Sequence, residues 1–386
     1  MAEKALNVQP VIDWLVDGAP PAKLPQDVLL RLCHRLRDAG LPLYRANVSV
    51  RTLHPNVLGR GFNWNEDRDA VEVIEAPHEF LESEQFRNSP MRVIFQENVE
   101  VRRRLIDPDC PIDFGILPDL LAAGVTDFIA LPLRFLNGEV HAASYATRQP
   151  GGFSDAQLDA LRRVTTALAR IAEIYAHLRK ARNVLDAYLG QQTGEKVLAG
   201  QIKRGDGEEI RAVIWFCDLR DSTPLAESMS REAFLKLLNE YFECVLGPVQ
   251  ERGGEILRFI GDAALAIFPI GNDPAAVACA KALDAAQESV ARMRKLNAAR
   301  DTPLRFGIGL HLGLVLYGNI GTPTRIEFTV IGAAANEAAR IEGLCKTLKV
   351  DVTVSENVAR HLPGRLRSLG QHQLRGVGLP LEIFTP

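Results

Sequence analysis

Residues 212–223 read "AVIWFCDLRDST". Ala212 to Phe216 form an apolar run, and the chain then delivers Asp218, Arg220, Asp221, Ser222 and Thr223 together. Branched and aromatic residues bounded by a polar turn mark a strand that enters a core and ends at its edge. A plain strand end is one reading. The other is a carboxylate fixed at the tip of a buried strand, with backbone amides and hydroxyls directly after it, which suits a cation and a phosphate.

Downstream of this stretch the elements alternate. A helix is expected from about Ser230, with Phe234, Leu237, Leu238, Tyr241, Phe242 and Val245 on one face, ending at Gly253-Gly254. "EILRFI" and "ALAIFP" flank a turn at Gly261-Asp262, and Asp273-Pro274 supplies an N-cap and first-turn proline for a helix to about Ala299. "PLRFGIGLHLG", "LVLYGNI" and "RIEFTVIG" read as three strands, followed by the helix "AANEAARIEGLCKTL" and by strands near 350 and at the end. The succession predicts an α+β sandwich of the ferredoxin-like kind, one layer of helices on a mostly antiparallel sheet.

In such a split βαβ arrangement the first strand lies beside the hairpin, which brings Asp218 and Asp262 to one sheet edge. Two like charges held together call for a cation. Two oxygen donors without His or Cys suit Mg²⁺ or Mn²⁺. The stretch after Asp218 then offers N–H groups and the Thr223 hydroxyl to a polyphosphate. On the late helix, Asn336 and Arg340 are four apart and share a face. The alanines at 333, 334, 335, 338 and 339 around them are small enough to admit a ligand. An exposed polar helix face is the alternative reading of that pair.

Upstream, "DVLLRLCHRLRDAG" has helical spacing, while "LYRANVSVRTL" and "TDFIALPLRFLNGEVHAASYAT" read as strands, the latter folded at Asn137-Gly138. "GGFSDAQLDALRRV" opens a long helix with Ser154 as N-cap. This pattern, with its closing stretch, resembles a GAF sensor domain, which implies a small-molecule or protein signal at the amino-terminal part. Trp14, Trp64 and His54 are expected in the core or at the surface and not in a cofactor box. Leu161, Val164, Leu168, Ile171, Tyr175 and Leu178 fall three and four apart, as a coiled-coil seam or as one amphipathic helix packed on its own domain. "YLGQQTGEKVLAGQIKRGDGEE" carries five glycines between 190 and 207 and reads as a flexible or turning linker.

The gross numbers set outer bounds. A chain of 386 residues is too long for one comfortable core, so two domains are expected. Its 47% hydrophobic and 24% charged residues are ordinary for globular protein, and a net charge of -3 gives no reason to expect nucleic acid as a partner. The six cysteines lie scattered without a CxxC pair, as in reduced cytosolic protein. The amino terminus makes a poor signal peptide, and no apolar stretch approaches the roughly 20 residues of a membrane helix. A cytoplasmic protein without a membrane span is expected.

Residues 209–386 resemble the catalytic domain of class III nucleotidyl cyclases, through "FCDLRDST", "GGEILRFIGDAALAIF", "FGIGLHLGLVLYGNIG" and "FTVIGAAANEAARIE" in the family's order. The resemblance implies that Asp218 and Asp262 hold two Mg²⁺ or Mn²⁺ ions, with the Leu219 carbonyl as a further ligand. Asn336 matches the residue that orients the ribose, and Arg340 the one that neutralises charge on the α-phosphate. Arg375 falls where the family usually has a Lys for the terminal phosphates. Arg258 and Thr329 occupy the two base-choosing positions. Neither is acidic, which favours ATP over GTP, although Arg258 can also donate to guanine O6. Asp221 stands where Gly is usual, and Ala333 replaces a frequent Asp. The implied protein is a homodimeric adenylate cyclase with shared sites. A GAF-like regulatory domain at 1–155 and a signalling helix and linker at 156–208 would precede its catalytic domain at 209–386. The alternatives are a guanylate cyclase or a degenerate cyclase fold that senses nucleotide.

Overall fold

The computed structural model describes residues 6–386; residues 1–5, the start of the stretch read above as a poor leader, lie outside the described residues. The chain divides into two compact units, the first ending at Ala187 and the second beginning at Tyr188.

In chain order the first unit comprises α1 (Gln9–Val16), α2 (Pro25–Asp38), β1 (Arg45–Arg51), β2 (Gly59–Asn65), β3 (Ala70–Ala76), α3 (Glu84–Arg87) and α4 (Pro90–Glu97). It continues with β4 (Val101–Arg103), α5 (Leu117–Ala122), β5 (Asp127–Arg134), β6 (Val140–Thr147) and most of α6 (Asp155–Leu189). Its six strands form one antiparallel sheet in the order β3-β2-β1-β6-β5-β4. The Asn137-Gly138 hairpin joins β5 to β6, with Gly138 at φ 84° as a tight turn requires. Ser154 Oγ accepts from the Gln157 N–H at 3.3 Å and so starts α6. Trp14 and Trp64 are buried in the core, and His54 lies near the surface.

Of the two readings of the α6 apolar spacing, the packed helix holds. Leu161, Val164, Leu168 and Ile171 are buried in the first unit's own core, whereas Leu178 is exposed. Those four positions are therefore not a free coiled-coil stripe.

The second unit begins with a correction. The stretch expected as a flexible linker contains α7 (Gln191–Leu198), and this helix is anchored. The buried Thr193 hydroxyl donates to Glu255 Oε1 at 2.7 Å, and the Tyr317 hydroxyl donates to the same oxygen at 2.7 Å. Lys196 lies 4.3 Å from the Tyr317 ring centroid and pairs with Glu208 at 2.7 Å. The signal that hid the helix was its glycines, Gly190 and Gly194 among them.

Then follow β7 (Gly207–Leu219), α8 (Ser222–Ser228), α9 (Arg231–Glu251), β8 (Glu255–Ile260), β9 (Ala263–Pro269), α10 (Ala275–Asn297) and β10 (Phe306–Thr322). The unit closes with β11 (Arg325–Ile331), α11 (Ala333–Leu348), β12 (Val352–Ser355), α12 (Glu356–Ala359), β13 (Arg367–His372) and β14 (Leu381–Thr385). The order β10-β7-β9-β8 at the heart of its sheet is that of a ferredoxin-like βαββαβ unit, extended beyond β10 by β12, β14 and β13. Only the β10–β12 pairing is parallel among those described.

Alternation along β7 explains the layers. Val213, Trp215, Cys217 and Leu219 pack with α9 and α10 residues such as Tyr241, Val245 and Ala282. Ala212 and Ile214 point the other way, into a cluster with Ala334 and Ala338 of α11. Helices thus lie on both faces, not in one layer. Burying side chains such as Trp215, at 0% exposure, contributes about 1.5–3 kcal/mol each.

Two further expectations are corrected. The strands read as separate at "PLRFGIGLHLG" and "LVLYGNI" form one continuous strand of 17 residues, because Gly313 breaks no pairing and stays in register with Ala212. α10 starts one residue later than read, so Pro274 and not Asp273 holds the N-cap position.

Candidate active site

The strand β7 ends where its sequence turns polar. Asp218 is in register with Ala263 of β9, and Asp262 sits in the β8–β9 turn just before it, after Gly261 at φ 65°. The Leu219 N–H reaches the Asp262 carbonyl at 3.4 Å, which ties the strand end to the turn. The two carboxyl groups come within hydrogen-bonding range. Burial, and next the charge of Asp262, raise the Asp218 pKa above the ordinary carboxylate range. A carboxyl group whose ionisation is made costly by burial and by a neighbouring acid marks a place where a cation is favourable. Cys217 faces the core, so the donors at this edge are oxygens. That donor set fits Mg²⁺ or Mn²⁺. Among the described residues no group of three or more His, Cys, Asp or Glu side chains is placed to hold a metal. The side-chain oxygens that this edge offers a metal are therefore those of Asp218 and Asp262.

The residues after Asp218 show how the turn is made. Asp221 takes the place where Gly is usual and adopts φ 56°, the left-handed conformation that glycine enters freely. Aspartate tolerates this region better than most residues, and its carboxylate is held by Arg305. Thr223, exposed, lies in the first turn of α8, where the N–H groups of Ser222 and Thr223 have no acceptor within the helix.

A pair that sequence reasoning missed lies under Asp218. Arg220 donates to Glu342 Oε1 at 2.5 Å and to the Glu342 carbonyl at 3.2 Å. Glu342 is 3% exposed, and burial pushes its pKa up to about 7 against the field of Arg220. Gly307 faces this pair, and a Cβ there would collide with both Glu342 and Arg220. Glycines at alternate positions of β10 let α11 lie against the sheet. A Cβ on Gly309 would stand 2.6 Å from Ala338 O and 2.6 Å from Glu342 N, and one on Gly313 would strike Ala334. His311, between them, pairs with Glu337 at 3.0 Å. The signal for this stripe was the spacing of Gly307, Gly309 and Gly313, which only a strand turns into one face.

Because α11 is seated this way, Asn336 and Arg340 project from its free side and are exposed. Gly376, at φ 72°, lies beside Arg340, with room for a Cβ only 3.4 Å from a guanidinium nitrogen. The turn that carries Arg375 is therefore next to Arg340. These residues make no hydrogen bond or ion pair with Asp218 or Asp262 among the described residues.

At the two positions expected to choose the base, Arg258 Nε lies 3.2 Å from Glu327 Oε1, both side chains 42% exposed. Thr329, two residues along β11, is buried, and its hydroxyl has no hydrogen-bond partner among the described residues. Glu327 is the second residue the sequence reading passed over. It places a carboxylate beside Arg258, although neither of the two positions read from the sequence is acidic.

Residues 208–382 match the family model for the adenylate and guanylate cyclase catalytic domain. That segment belongs to this family. An adenylate cyclase from Anabaena cylindrica is 36% identical over 163 residues, which are 42% of this chain and 32% of that protein. Adenylate cyclase 2 of Rhizobium meliloti is 30% identical over 237 residues, 60% of this chain and 63% of that one. The crystal structure of the adenylyl cyclase CyaB from P. aeruginosa is 24% identical with a TM-score of 0.40, covering 46% of this chain and 94% of that one. The chain thus spans about a third of the first curated relative and less than two thirds of the second. No described helix of the chain is long and apolar enough to cross a membrane.

Proposed function

We propose that the cyclase domain converts ATP into 3′,5′-cyclic AMP and pyrophosphate, in a homodimer whose two sites are each built by both chains. The observation that carries this reading is the Asp218–Asp262 pair, brought to one sheet edge by the register of β7 with β9 and by the Leu219 N–H bond to the Asp262 carbonyl. Two divalent ions, Mg²⁺ or Mn²⁺, would be held there with the Leu219 carbonyl. Bound ions supply charge neutralisation and polarisation at the reacting phosphate. The ribose 3′-oxygen attacks the α-phosphorus and pyrophosphate departs.

The chain's own residues orient the reactants. Asn336 holds the ribose. Arg340 gives its forked donors to the α-phosphate, where charge grows in the transition state. Arg375 and the α8 turn with Thr223 receive the terminal phosphates. Arg258 donates to adenine N1, beside Thr329. In the division that the family resemblance implies, one chain gives Asp218 and Asp262 and the other gives Arg258, Thr329, Asn336 and Arg340. Residues 1–155 regulate, and 156–208 connect.

A second reading has one observation in its favour. The Glu327 carboxylate beside Arg258 is what guanine N1–H and N2–H would need, so a guanylate cyclase is the competing activity. Turnover of the purified chain with ATP and with GTP, each in Mn²⁺, decides between them. Binding of an ATP analogue with no turnover of either nucleotide would leave a nucleotide sensor.

The shared site has its own test. Asp218→Ala and Arg340→Ala should each be inactive as homodimers. Co-expressed, they form heterodimers in which one site carries both lesions and the other none, and activity returns. Verified heterodimers that stay inactive would show that each site lies within one chain.

A further inference from the structure

The first unit contains a cavity of about 690 Å³ between one face of its sheet and the segment that carries α3 and α4. That volume lies within the range of small-molecule sites. All of its lining residues belong to this unit, so nothing in the cyclase domain accounts for it.

The strand β1 shows why the cavity is a built one. Its residues alternate, Ala46 and Val48 on one face, Asn47 and Ser49 on the other. Polar residues in such a pattern ordinarily face water. Here Asn47 and Ser49 are 7% and 8% exposed, as buried as Val48 at 6%. They neither face water nor pack in an apolar core. Instead they form the floor of the hollow. The Asn47 amide donates to Asn63 Oδ1 at 2.6 Å, and the Ser49 hydroxyl donates to Asn47 Oδ1 at 2.9 Å. Gly61, opposite Ser49 on β2, contributes no side chain and leaves the hollow open. On the other side stand Phe86 and Phe95, with ring centroids 6.2 Å apart.

Six charged side chains line the cavity, and most of them are engaged or turned to solvent. Arg60 and Glu75 pair with each other, Arg51 stacks on Phe95 at 5.3 Å, and Glu84 and Asp119 are exposed to solvent. Arg45 is only partly exposed, and its guanidinium makes no hydrogen bond or ion pair with any described residue. Burial lowers its pKa from the ordinary arginine value, against the weaker fields of Tyr44, Asp119 and Glu72. A partly buried guanidinium whose donors meet no acceptor directly, beside an open space, leaves its hydrogen-bonding capacity to an oxyanion that enters the space.

We propose that this cavity binds a small organic anion, a carboxylate or phosphate monoester on an apolar body of ring size. Arg45 takes the oxyanion, the Asn47–Ser49–Asn63 row takes a polar substituent, and Phe86 and Phe95 cover the apolar body. Arginine suits this because its planar fork meets both oxygens of such a group at once.

The test uses the full chain and matched pairs of probes at millimolar concentration and constant ionic strength: benzoate against benzamide, and phenyl phosphate against phenol. Thermal unfolding is followed, since a ligand of the folded state raises the melting temperature in proportion to its binding. At least one acid should raise it while its neutral counterpart does not, and the acid that acts tells carboxylate from phosphate. Arg45→Gln should abolish the shift and Arg45→Lys should retain part of it. Gly61→Leu should abolish it by filling the hollow, a change the backbone admits because a Cβ there meets only Asn47 Nδ2 at 3.7 Å and Ser49 Oγ at 3.8 Å. An anion bound at the cyclase domain would be indifferent to Arg45 and Gly61. The proposal is overturned if no acid shifts the transition, if the neutral partners shift it equally, or if both Arg45→Gln and Gly61→Leu leave the shift intact.

Discussion

The two sheets of this molecule use glycine for opposite ends. In the first unit, Gly61 sits in a row of Asn and Ser, and the space its missing side chain leaves stays open. In the second, Gly307, Gly309 and Gly313 line one face of β10, and α11 has moved into the space. The first solution makes a hollow with its polar groups inside. The second makes a platform with its polar groups, Asn336 and Arg340, outside. Removing a Cβ creates room, and whether a helix takes that room decides between a cavity and a presenting surface.

The largest effect is expected from one substitution made in both places. Gly309→Ala forces a methyl to within 2.6 Å of Ala338 O and Glu342 N. Because both atoms are backbone, α11 must shift as a body, at about 3 kcal/mol, with a loss of turnover as Asn336 and Arg340 move. Gly61→Ala meets only ordinary contacts and should change stability by less than about 0.5 kcal/mol. Denaturant unfolding of both variants and cyclase turnover of Gly309→Ala check this. Equal costs at the two glycines would break the contrast.

A smaller effect separates the units by pH. His141 in the first unit is fully buried, and burial pushes its pKa from 6.5 down to about 4, outweighing Glu139, with Arg51 and Lys180 adding to the depression. Its Nδ1 accepts from the Arg51 N–H at 3.2 Å, which fixes the neutral ring. A base whose folded pKa is depressed gives stability that is complete above the unfolded value, 6.5, and is lost as pH falls toward about 4. The loss should reach about 2–3 kcal/mol, read as a fall in the first unit's unfolding midpoint that His141→Gln removes. His311 in the second unit is also shifted down by burial, but Glu337 opposes it at 3.0 Å. His311→Gln should therefore flatten the second unit's pH profile less. A steeper dependence there would reverse the ranking.

The smallest effect concerns Glu327. If it accepts from the base alongside Arg258, Glu327→Gln lowers kcat/KM by about tenfold for the preferred nucleotide, or about 1.4 kcal/mol, and leaves the other nearly unchanged. An unaltered ratio between ATP and GTP would remove Glu327 from the site.

What could be read in advance follows from how local each feature is. The tip of β7 is legible because Phe216 to Asp218 changes from apolar to charged within two residues, and the Gly261-Asp262 turn because turn chemistry is short-ranged. The helix bearing Asn336 and Arg340 announces itself by spacing. The face it packs with does not, because Gly309 matters only through Ala338 and Glu342, some thirty positions away in the chain. Glu327 escaped notice for the same reason: its meaning comes from Arg258 on another strand. α7 was hidden by glycines that a helix start and a packed contact with Glu255 both tolerate. The hollow in the first unit could not be foreseen, since alternation tells which residues share a face but not whether anything fills it.

The Thr193–Glu255–Tyr317 bonds have a mechanical consequence. Glu255 is the first residue of β8, and Arg258 is three residues along the same strand. Any pull on α7 is therefore felt first by the strand that carries Arg258, and only later by the edge where Asp218 and Asp262 lie. An upstream signal transmitted through this joint would register as a change in how tightly, or which, nucleotide is held, leaving the speed of the bound complex comparatively untouched. α7 would then behave as a dial on recognition.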